Sequence, residues 1–196
     1  MNRTEHEVTF YYDVGSPYAY LAATRIDRVL PVPVRWQPVL LGGLFKLTGR
    51  SSWALGDFER RRRGMEEIER RAARYGLPPL RWPDPWPGDY LTAMRVATHA
   101  HREGRGREFA LAAMRSAFAD GRDLGDPDVA LDASAAAGLD RDRAQAALSD
   151  QEVKDELHAA TDAAHERGAF GVPTVDAGGE LYWGDARLED AAAALR

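Results

Sequence analysis

Ser16 and Pro17 stand where a run of β-forming residues, Phe10-Tyr11-Tyr12, gives way past Gly15 to a helical pattern carried by Leu21, Ala22, Ile26, Val29 and Leu30. Serine suits the helix N-cap and proline the first helical position. Unpaired backbone N–H groups and the positive end of the helix dipole then converge beside the Ser16 hydroxyl. Such a place stabilises an anion, including a thiolate or carboxylate brought by a ligand. The bland alternative is a serine that only caps a helix. A second landmark is Val172-Pro173 in Gly171-Val172-Pro173-Thr174. Proline is tolerated at the first residue of a strand, and an X-Pro bond is where a cis peptide costs least. A cis bond here would turn the Val172 N–H and C=O outward to receive an extended ligand; the alternative is an ordinary trans proline at a strand start.

Other chemistries are excluded or disfavoured. The chain has no cysteine, which removes disulfides, thiolate metal ligands and a cysteine nucleophile. His99 and His101 point to different sides of a helix. His158 and His165 share a face but lack a carboxylate-histidine set, so no metal is expected. Gly104-Arg105-Gly106 is a lone helix break and no phosphate loop. The net charge of −5 argues against nucleic acid. The Arg60-Arg61-Arg62-Arg63 run spreads around a helix, and salt bridges to Glu59, Glu66 and Glu67 are expected. Met1 to Glu7 carries no apolar leader and no run is long enough to span a membrane, so a soluble, cytoplasmic protein is expected.

At 196 residues and 44% hydrophobic content, the chain can build one domain or two closely packed lobes. Val8 to Tyr12 and Pro33 to Val39 read as strands, joined by a helix into a right-handed β-α-β unit. From about 54 to 167 the signals are helical. Asp57 caps a helix ending at Gly76, and a proline- and tryptophan-rich connector follows over 80–88. Helices are then expected at 90–103 and 106–119, from Asp126-Pro127 to Gly138, and after Asp140. Ser149-Asp150-Gln151-Glu152 reads as a capping box for a helix to Arg167. Pro173 to Asp176 and Glu180 to Trp183 form a hairpin, and a helix from Arg187 to Leu195 closes the chain. Trp82 and Trp86 could line an aromatic ligand pocket or seal the helical block onto the sheet.

This order, β-α-β, a helical insertion, then β-β-α, resembles the thioredoxin fold in its DsbA and kappa-class glutathione transferase branch. The fold class expected is therefore α/β, with a thioredoxin-like domain from residues 1–50 and 168–196 and an inserted helical domain at 51–167. Within that branch, Phe10 to Ala22 (Phe-Tyr-Tyr-Asp-x-x-Ser-Pro-Tyr-x-Tyr-Leu-Ala) resembles the signature of 2-hydroxychromene-2-carboxylate isomerases. Leu40 to Gly49, Tyr75 to Pro78, Ala93 to Arg95, Gly168 to Thr174 and Trp183 to Leu188 are similar to family segments in order and spacing.

The resemblance implies a bound thiol, glutathione or another low-molecular-weight one, because the thioredoxin-type cysteine positions are Ser16 and Ala19. Ser16 would stabilise the thiolate as the catalytic residue. Pro17, Tyr18, Val172, Pro173, Gly184 and Asp185 would hold the cofactor, Val172 through its main chain, and Lys46 and Arg50 would meet carboxylates. The implied reaction is thiol-dependent cis–trans isomerisation of a ring-opened aromatic carboxylate by a homodimer. Two other readings stay open: a kappa-class-like transferase, and a catalytically silent DsbA-like binding module. The chain departs from the family at two thiol-recognising positions. Asp185-Ala186 stands where the pattern has Asn/Ser-Asp, and Arg50 where it has asparagine.

Overall fold

The computed structural model describes residues 8–196, so the polar opening Met1 to Glu7 lies outside the described residues. The elements are β1 (Val8–Tyr12), α1 (Pro17–Ala23), α2 (Ile26–Val29), β2 (Val34–Pro38) and α3 (Leu41–Thr48), then a 3-10 turn (Trp53–Leu55) and α4 (Phe58–Arg74). Next come α5 (Leu91–Arg102), α6 (Gly106–Phe118), α7 (Pro127–Ala136), α8 (Arg141–Ala147) and α9 (Gln151–Glu166). β3 (Thr174–Ala177), β4 (Glu180–Trp183), a 3-10 turn (Asp185–Arg187) and α10 (Leu188–Ala194) complete the chain.

The strands form one mixed sheet in the order β2-β1-β3-β4. β1 and β2 are parallel with Val8 opposite Val34, whereas β3 runs antiparallel to both β1 and β4. Consequently the last residues of β1, β2 and β4 and the first of β3 lie at one end of the sheet, where Tyr11 pairs with Thr174 and Thr174 with Trp183. The loops carrying Ser16 and Pro173 leave from that end. Side chains of β1 alternate less than a half-exposed strand would, because helices cover both faces: Phe10 and Tyr12 are buried against Trp36 on one side and Tyr11 packs with Val39, Leu44 and Val172 on the other.

The helical start at Ser16 is confirmed, but the single helix expected through Leu30 is two. α1 stops at Thr24, and Arg25, itself buried, turns its guanidinium over the Tyr75 ring at 3.7 Å and onto Glu189. α3 is a helix beyond those the sequence patterns mark. Gly42 and Gly43 lower its intrinsic propensity, yet Gly43 lets it approach α9 so closely that a Cβ there would lie 3.0 Å from Thr161. The capping-box reading at Ser149 needs correcting. Asp150 is the N-cap of α9, accepting from the Glu152 amide at 2.9 Å, while the Ser149 hydroxyl turns back to Ala146 O. Glu67 likewise pairs with Arg70 and Arg71 and not with the arginine run, in which Arg62 binds Glu59 and Glu66.

Candidate functional site

Ser16 is the N-cap of α1. Its extended backbone (φ −91°, ψ 116°) lets Oγ accept from the Ala19 amide at 3.2 Å, and Pro17 takes the first helical turn. Oγ thereby satisfies one orphan donor of the helix, and its own proton has no acceptor among the described residues. The loop that delivers it is built by Asp13. Oδ1 accepts from Gly15 N and Oδ2 from Leu41 N, both at 2.9 Å, so one carboxylate closes the β1–α1 turn and caps the start of α3. Asp13 is buried, and that burial raises its pKa to about 6 against the lowering effect of those two amides.

Gly15 admits no side chain, since a Cβ there would sit 1.9 Å from Cδ2 of Tyr90. The Tyr90 ring thus lies against the Ser16 loop, with its hydroxyl accepting from Gly88 N at 2.8 Å and its pKa pushed up to about 12, chiefly by burial. Tyr18, in the first turn of α1, meets Trp53 edge-on at 6.3 Å; Trp53 in turn lies 5.5 Å from Trp86, and Trp86 4.5 Å from Trp82. Trp86 belongs to the main core and Trp82 packs against it, so the connector does seal the helical block; its outer aromatic edge also flanks the Ser16 loop.

The Val172–Pro173 bond is cis, as are Asp84–Pro85 and Trp86–Pro87. Neither the amide nor the carbonyl of Val172 is hydrogen-bonded by a described residue, while Pro173 O accepts from Gly184 N at 2.9 Å. That last bond sets Gly184 and Asp185 directly beside the Pro173 loop. Ser16 and Val172 are both closely packed, at 3% and 5% exposure.

Asp185 is wholly buried, and its oxygens are taken: Oδ1 by Arg71 Nη1 at 2.9 Å and Oδ2 by the Tyr75 hydroxyl at 2.8 Å. Arg71 also reaches 5.6 Å from the Tyr18 ring, which joins this cluster to the first turn of α1. Arg50 stacks on Phe170 at 4.1 Å, and Phe170 on Trp183 at 4.8 Å, on the Val172 side. Lys46 is exposed on α3. The structure therefore gathers Ser16, Pro17, Tyr18, Val172, Pro173, Gly184 and Asp185 at one end of the sheet, with Arg50 beside them. Asp13, Tyr90, Trp53 and Arg71 also belong to this end, beyond the residues to which the sequence points. Only Asp13 had a local signal, the Asp-x-Gly spacing of an Asx-turn.

Among the described residues there is no cluster of histidines and carboxylates able to hold a metal ion, and no helix is long and apolar enough to cross a membrane.

A helix-capping serine and a strand-opening proline thus share one end of the sheet, within β-α-β and β-β-α units split by helices. Residues 7–196 match the DSBA-like thioredoxin domain. The chain belongs to that family. Among relatives of this DSBA-like protein, a 2-hydroxychromene-2-carboxylate isomerase from Pseudomonas putida is 25% identical over 187 residues, covering 92% of this chain and 90% of the relative. A solved 2-hydroxychromene-2-carboxylate isomerase superposes with a TM-score of 0.84 at 24% identity, over 96% of this chain and 93% of that one. The cytosolic disulfide reductase DsbM from Pseudomonas aeruginosa, solved with GSH, superposes with a TM-score of 0.65 at 18% identity, over 96% and 95%. The DSBA-like fold is thus shared across redox and isomerase relatives, and in this member no cysteine is available for dithiol exchange.

Proposed function

We propose that this chain is a thiol-dependent cis–trans isomerase acting on ring-opened aromatic carboxylates of the 2-hydroxychromene-2-carboxylate type, with glutathione or a similar small thiol as cofactor. The observation that carries the reading is the Ser16 hydroxyl. It sits at a helix N-terminus, its proton without an acceptor among the described residues, in a chain that has no cysteine thiol of its own. The residues fit the central part of a thiol. The Ser16 O–H is placed to donate to a sulfur, and the first-turn amides of α1 favour the thiolate over the thiol. Val172 offers the flanking peptide unit an N–H and a C=O that no described residue pairs, as an added strand would require. Asp185 is a poor ligand for an ammonium group, because Arg71 and Tyr75 already hold both its oxygens.

When bound, a thiolate would supply a nucleophile able to add reversibly to a conjugated double bond, so that the bond could turn as a single bond before elimination. Ser16 keeps the sulfur ionised and positioned. The aromatic edge of Tyr18, Trp53 and Tyr90 excludes water beside it. Ser16 is only 3% exposed, and the Tyr90 ring packs on the neighbouring Gly15.

The test is incubation with the hydroxychromene carboxylate and either catalytic or stoichiometric glutathione. An isomerase works with catalytic thiol and regenerates it, whereas a transferase consumes it. The same tight packing of Ser16 and Val172 favours a second reading, a catalytically silent DsbA-like module that binds partners along Val172-Pro173. Absence of thiol binding at millimolar concentration would select it.

A further inference from the structure

Four consecutive arginines begin α4, and they do not share one environment. Arg60, Arg62 and Arg63 are exposed, and Arg62 is held by Glu59 and Glu66. Arg61 is half-buried, has no carboxylate partner among the described residues, and lies with its guanidinium 5.6 Å from the centre of the Trp86 ring. It lines an open cleft of about 420 Å³ with Phe58, Arg62, Met65, Glu66 and Glu69, a size suited to a small organic ligand. Phe58 and Met65 make its walls apolar, although Phe58 itself is 76% exposed. Both carboxylates are engaged, Glu66 by Arg62 and Glu69 by the Trp82 indole N–H at 2.7 Å. Arg61 is left as the cleft's cation without a carboxylate in contact, while Glu69, held by a neutral N–H, is the anion that balances it across the cleft.

The cleft flanks the Ser16 loop by two routes. Two residues beyond Trp86, Gly88 N donates to the Tyr90 hydroxyl at 2.8 Å, and the Tyr90 ring lies on Gly15. In parallel, Trp86 leads through Trp53 to Tyr18 in the first turn of α1. A ligand satisfying both features has a planar apolar body for the Phe58–Met65 walls and one carboxylate for the guanidinium, whose fork matches it.

We infer that Arg61 is the specificity-determining residue for substrate, and that the cleft binds an aromatic monocarboxylate. This deepens the isomerase reading and rests on it for the substrate class. It also moves the carboxylate partner from Lys46 and Arg50 to α4. The acid binds here independently of the thiol, whose proposed contacts are at Ser16 and Val172.

The test is equilibrium binding to the full chain, without thiol, of chromone-2-carboxylate and of its neutral carboxamide. The wild type is expected to favour the acid by about tenfold or more, the scale of a charge-assisted hydrogen bond. Arg61→Gln should erase the preference and Arg61→Lys restore part of it, with unchanged melting temperatures confirming the fold. Equal affinity for acid and amide in the wild type, or a preference surviving in Arg61→Gln, overturns the proposal. So does sedimentation showing that Phe58→Ser dissolves a dimer while neither compound binds, because the cleft is then an interface between copies. Thiol-dependent turnover of the wild type separates the two readings. Arg61-dependent acid binding that persists while thiol-dependent turnover is missing from the wild type refutes the isomerase and keeps the carboxylate site.

Discussion

Replacing Ser16 by alanine removes an acceptor and a donor together, and the two have different consequences. The acceptor holds Ala19 N at 3.2 Å; losing a cap of this kind costs about 1 kcal/mol of stability. The donor is the group proposed to meet the thiolate, and loss of one oriented donor to a developing or bound anion lowers turnover by roughly a hundredfold. Ser16→Ala is therefore expected to unfold at only slightly lower urea while kcat at saturating thiol collapses; equal turnover would take Ser16 out of the mechanism. Asp13 makes a pH prediction. Its pKa is raised by burial from 3.8 to about 6, so the folded state holds the proton more tightly than the unfolded chain. Stability from this group is full below about pH 4 and declines as the pH rises through 6. Asp13→Asn cannot ionise and should lack that decline, though it gives up one of the two amide contacts. Urea unfolding of both proteins from pH 4 to 7 checks this: the wild type must lose ground to the variant over that window, and parallel curves would refute it.

Elements with local punctuation could be read from sequence, and elements made by distant contacts could not. α4 announces itself through Asp57, whose carboxylate accepts from Arg60 N at 2.8 Å, and through the chain reversal at Gly76. α3 has two glycines and no capping side chain, so only its packing on α9 explains it. The site divides the same way. Ser16 and Pro173 are marked by their immediate neighbours, whereas Asp185 meets Arg71 and Tyr75 across sequence separations of 114 and 110 residues. That cluster ties α4 to the turn beside Pro173, and it makes the third prediction. Asp185→Ala leaves the Arg71 guanidinium and the Tyr75 hydroxyl without their partner. Breaking a buried pair from one side costs roughly 3–5 kcal/mol; the low end is expected because Arg71 can turn toward water. Asp185→Asn retains an acceptor for one of the two and should cost less. Chemical denaturation orders the three proteins, and an Asp185→Ala protein as stable as the wild type would show the cluster to be dispensable.

At the scale of the whole molecule, a thioredoxin-like sheet and an inserted helical block share one continuous core. Phe10, Tyr12 and Trp36 of the sheet belong to the same buried cluster as Phe109, Phe118 and Leu131 of the helices. The seam is aromatic as well as aliphatic: Tyr20 of α1 lies 5.7 Å from Phe118 of α6. Neither part can expose its side of that cluster without uncovering the other's apolar surface, and each buried large side chain contributes about 1.5–3 kcal/mol. We propose that the division at 51–167 is one of topology and chain order, so that the two parts unfold together. Calorimetric and van't Hoff enthalpies are expected to agree within error, and amides of β1 and α6 should exchange hydrogen at the same slowest rate. A first transition that strips protection from α6 while β1 stays closed would show the insertion to be a separate folding unit. In that case Arg61 and Arg71, both on α4, could shift relative to Ser16 without unfolding the sheet. A single transition instead means that the walls of the acid cleft and the serine at the sheet end are held by one cooperative structure.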